Sequence, residues 1–234
     1  MRLLVDVGNT ALKVAGEVDG QITLIEEDDI KWSAVKEIAI AQVGPDKLLA
    51  NITAKAQQLS IPLLQANVTA QLGTVKCAYP QFQNLGIDRW LGVVACHYLY
   101  PNKHCVVVDS GTASKVDVVT RSGEHLGGWI LPGLDMMIDS LVSNTQKVFS
   151  DSESLFLPEL GTNTPNAVKN GALIATLGAV EAGIAQLKRD FDNIQVIFAG
   201  GYGELLQLHF EKPSVYVDDL VLKGLRNWCE FIHK

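Results

Sequence analysis

The sequence predicts an α/β protein made from two copies of one small core. Three observations carry the prediction. A strand, an Asp-x-Gly turn and a Thr-Ala-x-Lys-Val strand occur in that order twice, around Asp6 and around Asp109. Each copy opens a strand meander that gives way to alternating helix and strand. The 234 residues, 47% of them apolar, suffice for two domains of ~100–130 residues each.

The first copy reads Leu3-Leu4-Val5-Asp6-Val7-Gly8-Asn9-Thr10-Ala11-Leu12-Lys13-Val14. The second reads Val106-Val107-Val108-Asp109-Ser110-Gly111-Thr112-Ala113-Ser114-Lys115-Val116. Two unrelated hairpins would also draw on Gly and Asn for their turns. Matching Asp, Gly, Thr, Ala, Lys and Val in order favours duplication, with Asn9 as one extra residue in the first copy. The division falls at residues 1–104 and 105–234. No Gly/Ser linker marks it, so the halves are expected to pack closely around a cleft.

Residues 3–7, 11–17 and 21–26 read as the first meander, and 38–43 as a further short strand. Pro45 suits the first turn of a helix over 45–59. Residues 61–66 read as a strand. Leu91, Val94, Ala95, Tyr98 and Leu99 recur at helical spacing over 87–100. In the second half, 106–108, 114–119 and 125–130 are strands, followed by a helix from about 132 to 148. Thr164 before Pro165 reads as the N-cap of a long helix to about residue 191. Residues 195–199 form a strand ending in Gly200-Gly201, and 215–217 a short one. Residues 218–232 read as an amphipathic helix with an acidic first turn. This order, given twice, predicts duplicated ribonuclease-H-like (actin-like ATPase) domains with a cleft between them.

Composition narrows the function. Acidic residues outnumber basic ones 26 to 19, leaving −7 and a pI of about 5.2, which offers no footprint for nucleic acid. The apolar fraction excludes a disordered chain. Cys77, Cys96, Cys105 and Cys229 form no C-x-x-C pair, and His97, His104, His125, His209 and His233 no H-x-x-x-H, so reduced, structural thiols are expected rather than zinc. Asp6 breaks the N-terminal apolar run before a signal-peptide core could form. Glu181 interrupts the apolar stretch 172–187 and Lys188-Arg189 closes it, which argues against a membrane span. A cytoplasmic protein without membrane or nucleic-acid partners is the expectation.

The turn after Asp6 carries the first chemistry. Gly8 lets an anion approach the backbone, and successive N–H groups make an anion-binding concavity. Asn9 and Thr10 add donors, Lys13 adds charge, and Asp6 could hold a metal ion directly or through water. The duplicate at Asp109-Ser110-Gly111-Thr112 turns one loop into a pair, as in ATP-handling proteins of the actin, hexokinase and heat-shock-ATPase type. No Walker loop and no G-x-G-x-x-G is present.

Gly86-Ile87-Asp88-Arg89-Trp90 opens a helix. Asp88 there either stabilises the helix dipole or accepts a proton from a hydroxyl nucleophile. Arg89 is either a surface ion-pair partner or a bidentate clamp for a carboxylate or phosphate. Gly127-Gly128-Trp129-Ile130-Leu131-Pro132-Gly133 reads as strand end, turn and helix start. Gly200-Gly201 is either a tight turn or a place where a nucleoside meets bare backbone.

Together these segments resemble type III pantothenate kinases over nearly the whole chain. Asn163-Thr164 and Leu220-Val221-Leu222-Lys223-Gly224-Leu225 complete six motifs in the family's order. The resemblance implies ATP-dependent phosphorylation of pantothenate, the first step toward coenzyme A, by a homodimer using Mg²⁺ and activated by K⁺ or ammonium. It implies that Asp6, Val7, Gly8, Asn9, Thr10, Ala11, Leu12 and Lys13 bind ATP, with Thr112 touching it and Asp6 serving Mg²⁺. Asp88 would be the base. Tyr79, Gly86, Ile87, Asp88, Arg89 and Thr164 would contact pantothenate, and Asp109 would ligate the monovalent cation. Once that fold is granted, three carboxylates near ATP call for cations on charge count. Two other readings stand beside this one: an inactive regulatory protein on the same fold, and a kinase for another hydroxylated acceptor.

Overall fold

The computed structural model describes residues 1–188 and 193–232. The chain opens with the hairpins β1 (Arg2–Val7), β2 (Leu12–Val18) and β3 (Gln21–Leu24). β4 (Glu37–Gln42), α1 (Ala50–Leu59) and β5 (Leu63–Gln65) follow. A two-stranded ribbon, β6 (Gln71–Leu72) and β7 (Val75–Lys76), leads into α2 (Ile87–Leu99). The pattern then restarts with β8 (His104–Ser110), β9 (Ala113–Val119) and β10 (His125–Pro132). Two helices, α3 (Leu134–Asn144) and α4 (Thr164–Lys188), precede β11 (Ile194–Ala199), α5 (Gly203–Leu208), β12 (Ser214–Tyr216) and α6 (Leu220–Ile232).

The two sheets share one topology. Their orders are β3-β2-β1-β4-β5 and β10-β9-β8-β11-β12. β1 runs antiparallel to β2 and parallel to β4, and β8 runs antiparallel to β9 and parallel to β11. The duplication read from the sequence is therefore a duplication of the fold.

One compact unit comprises Met1–Leu99, Ser122–His125 and Asp219–Lys234; the other comprises Tyr100–Arg121 and Leu126–Asp218. A single cut at 104/105 misplaces the last helix. Its physical reason is a close backbone approach: a Cβ on Gly224 of α6 would stand 2.0 Å from the Leu91 carbonyl oxygen of α2. α6 thus packs on α2, its counterpart in the repeat, and both meet the first sheet. Ser122–His125 belongs with the first unit through the Lys76 N–H, which donates to the Gly123 carbonyl at 2.8 Å.

In the first unit Leu3, Val5, Val7, Ile38 and Ile40 build a core with Ile52 and Ala56 of α1. Leu4, on the opposite face of β1, is also fully buried. A strand covered on both faces needs a continuous aliphatic run, and Leu3-Leu4-Val5 is that run. The second unit buries Val106, Val108, Val116 and Phe198 against Leu134 of α3 and Leu173 and Val180 of α4. Described helices offer no span long and apolar enough to cross a membrane.

Element ends shift locally. The helix expected from Pro45 begins as a 3-10 turn, Asp46–Leu48, and becomes α-helical at Ala50, because Pro45 itself is extended at φ −73°, ψ 143°. Pro132 closes β10 rather than opening α3; as an edge strand, β10 tolerates the missing N–H. The predicted end of the long helix at residue 191 lies outside the described residues, as does His233.

Candidate active site

The first turn is shaped by strand register. Asp6 pairs with Lys13 and Val7 with Leu12 across β1 and β2. The Gly8 N–H donates to the Ala11 carbonyl at 2.9 Å and closes the turn. Asn9, Thr10 and Ala11 are exposed, and Asp6 and Lys13 are half-buried at the strand ends. Gly44, just past β4, donates its N–H to the Val7 carbonyl at 2.9 Å, and a Cβ there would stand 1.8 Å from the Gly8 oxygen. Backbone buttresses backbone, so only glycine fits.

The second turn repeats this. Asp109 pairs with Lys115 and Ser110 with Ser114, and the Gly111 N–H donates to the Ala113 carbonyl at 3.0 Å. The turn is one residue shorter, the missing counterpart of Asn9. β11 takes the place in its sheet that β4 takes in the first, and Gly200 follows it as Gly44 follows β4. Gly200 has φ +82°, and a Cβ on it would lie 2.5 Å from both Asp109 Oδ1 and the Ser110 oxygen. Gly133 adds a second buttress, donating to the Thr112 carbonyl at 3.0 Å. The sequence reading of Gly133 as punctuation misses this contact. Gly44 carries no motif of its own; its one signal in the sequence is a glycine at the end of the strand equivalent to β11.

The start of α2 gathers the other candidates. Asp88 Oδ1 accepts the Arg89 N–H at 2.9 Å and lies 2.6 Å from where a Cβ of Gly86 would be. The carboxylate therefore does cap the first turn, and that cap fixes its rotamer over bare backbone. Arg89 is buried, not a surface ion-pair partner. Its Nη1 donates to Tyr79 Oη at 3.0 Å, with the guanidinium 5.7 Å from the ring centroid. The Tyr79 ring stacks on buried His125 at 6.5 Å and 7°, and the Ala78 N–H donates to His125 Nδ1 at 3.4 Å. Tyr79, Gly86, Asp88 and Arg89 thus form one cluster, with His125 as its backing.

Thr164 stands in the second unit at the first position of α4. The cap is Asn163, whose Oδ1 accepts the Asn166 N–H at 2.9 Å, so the expected capping role of Thr164 passes to its neighbour. Thr164 instead lines a hollow of about 650 Å³ with Met137 and Leu141 of α3 and Val168 of α4.

The donor set suits the two implied metals unequally. No group of three or more His, Cys, Asp or Glu among the described residues could hold a metal ion. Mg²⁺ needs no such cage: one carboxylate plus substrate phosphates is its usual setting. Asp6, half-buried at the end of β1, fits that use. Asp109 does not fit a monovalent cation equally well, because its Oδ2 lies 2.8 Å from Lys115 Nζ. Two positive charges ~4 Å apart repel by ~4 kcal/mol at an effective dielectric of ~20.

Duplicated sheets of this order, each with a buttressed Asp-bearing turn, define the actin-like ATPase and sugar-kinase class of fold. Two solved structures share it. A Campylobacter jejuni protein described as a Baf family transcriptional activator aligns at TM-score 0.57 and 22% identity over 97% of both chains. A Sinorhizobium meliloti protein described as a 2-dehydro-3-deoxygalactonokinase aligns at TM-score 0.55 and 13% identity over 99% of both.

Within that class the chain belongs to the type III pantothenate kinase family, whose model matches residues 21–186. A type III pantothenate kinase of Pseudoalteromonas translucida (strain TAC 125) is 50% identical over 230 residues, covering 98% of this chain and 97% of the relative. One from Colwellia psychrerythraea (strain 34H / ATCC BAA-681) is 30% identical over 249 residues, covering 98% and 100%.

Proposed function

We propose that the chain transfers the γ-phosphoryl group of ATP to the primary hydroxyl of pantothenate, the first step of coenzyme A biosynthesis. Family membership supplies the reaction, and the Tyr79–Arg89–Asp88 cluster is the observation that carries the site. The Asp88 carboxylate takes the hydroxyl proton as the oxygen bonds to the γ-phosphorus and the bond to ADP breaks. Arg89 pairs with the pantothenate carboxylate and fixes the far end of the substrate. Tyr79 holds the guanidinium plane, and Gly86 and Ile87 offer backbone beside it. A base that needs no search for its rotamer favours a reaction that rests on positioning.

ATP takes the turn at residues 6–13, where backbone N–H groups, Asn9, Thr10 and Lys13 meet its phosphates. Thr112 contacts ATP from the second turn. Mg²⁺ at Asp6 neutralises phosphate charge when bound. Thr164 contacts pantothenate with its hydroxyl. The active form is a homodimer: the second unit exposes Ile130 (64%), Phe149 (57%), Leu155 (69%) and Leu160 (96%), an apolar display that calls for cover. The four cysteines are in the thiol form, which suits the cytoplasm. Thermal unfolding tests the site directly. Pantothenate raises the melting temperature of the wild type and not of Arg89→Ala; equal shifts in both refute the clamp.

A further inference from the structure

Lys115 sits where the family resemblance would place a monovalent cation. Its Nζ lies 2.8 Å from Asp109 Oδ2, and both side chains are largely sheltered, at 18% and 27% exposed. The pairing is built into the hairpin, since residues 109 and 115 face each other across β8 and β9. Gly200 closes the other side of the carboxylate, against Oδ1. Asp109 is therefore held between a backbone wall and an ammonium group. The repeat places Lys13 opposite Asp6 in the same way.

From this geometry we infer that Lys115 is a built-in monovalent cation at the second turn. Its ammonium supplies the charge at Asp109 that K⁺ or free ammonium would otherwise supply, so turnover proceeds without either. The inference rests on the kinase reading above for its effect on turnover, but not for its effect on ion binding. The charge is the same, +1, and the tether settles its position during folding rather than at each encounter. A K⁺ ion, by contrast, requires a shell of oxygen ligands. Lys115 Nζ offers three N–H donors and no lone pair, so it repels a cation and can coordinate none.

The test uses the full chain and the variants Lys115→Ser and Lys115→Met, in two readouts. The first is pantothenate-dependent ADP release from MgATP in KCl against tetramethylammonium chloride at equal ionic strength. Wild type turns over equally in both. Lys115→Ser falls by about tenfold or more in tetramethylammonium and recovers in KCl, as expected for removal of a preorganised charge. The second readout is thallium NMR line broadening by thallous ion on substrate-free protein. Wild type causes none above a protein-free control, and Lys115→Ser, with room and a hydroxyl oxygen, causes clear broadening. Lys115→Met, isosteric and without charge or oxygen, is inactive in both salts. Wild-type activation by K⁺, wild-type thallium broadening, or indifference of Lys115→Ser to K⁺ in both readouts overturns the inference. Absence of ADP release from every protein in every salt refutes the kinase reading instead, and the thallium readout still decides the role of Lys115.

Discussion

Gly44→Ala puts the architecture of the first phosphate turn to the test at a residue outside the segment assigned to ATP. The added Cβ would stand 1.8 Å from the Gly8 oxygen and 2.6 Å from the Gly8 carbonyl carbon. An ordinary carbon–oxygen contact needs about 3.4 Å. The turn must therefore retreat by about 1.6 Å, since backbone faces backbone and no side chain can swing away. A misplacement of ~1 Å at a reacting group costs ~10²-fold. We expect kcat/KM for ATP to fall by about that factor. The assay is pantothenate-dependent ADP release, with circular dichroism to confirm folding and the pantothenate-induced thermal shift as a control that the α2 cluster survives. Gly178→Ala, in the middle of α4 and away from the Thr164 hollow, serves as a neutral comparison, because outside its own helix backbone nothing lies within 4 Å of its added Cβ. ATP kinetics unchanged in Gly44→Ala would refute the buttress argument.

Other outcomes follow from the same structure. Asp88→Asn lowers kcat by about 10²-fold or more with little change in KM for pantothenate, and near-normal turnover would remove it from the base role. Arg89→Lys keeps the charge but loses the fork and the Tyr79 bond, so KM for pantothenate rises about 10- to 100-fold, checked by initial rates. His104 titrates below its ordinary 6.5, through burial and then the nearby Arg121 charge. Its Nδ1 accepts the Arg121 N–H at 3.2 Å, which requires an unprotonated nitrogen. A depressed pKa contributes stability above the unfolded value that is lost as pH falls through the folded one. Denaturant unfolding should therefore show stability dropping below about pH 6.5, and His104→Gln should flatten that slope.

Much of the site was legible because it is local. Asp-x-Gly turns are hairpin loops, and a loop's sequence declares its own geometry, so the repeat survives translation into matching registers at Asp6/Lys13 and Asp109/Lys115. The salt link at Asp109 was available in the same letters: a three-residue turn sets residues 109 and 115 opposite each other. Contacts between distant segments were not legible. Nothing near Gly44 says that residue 8 will press on it. The amphipathic pattern of α6 announces a partner but not that the partner is Leu91 of α2. Stacking of His125 on Tyr79 joins segments whose local patterns carry no mark of each other. Two-residue strands such as β6 and β7 are too short for alternation to register. The shift of the cap from Thr164 to Asn163 is a one-residue error where both residue types are good caps.

Phosphorylation of pantothenate by this chain is read most directly from its two products. Purified protein incubated with MgATP should release ADP only when pantothenate is present, with 4′-phosphopantothenate appearing in equal amount. ADP released at the same rate without pantothenate, or none released with it, would rule out pantothenate as the phosphoryl acceptor.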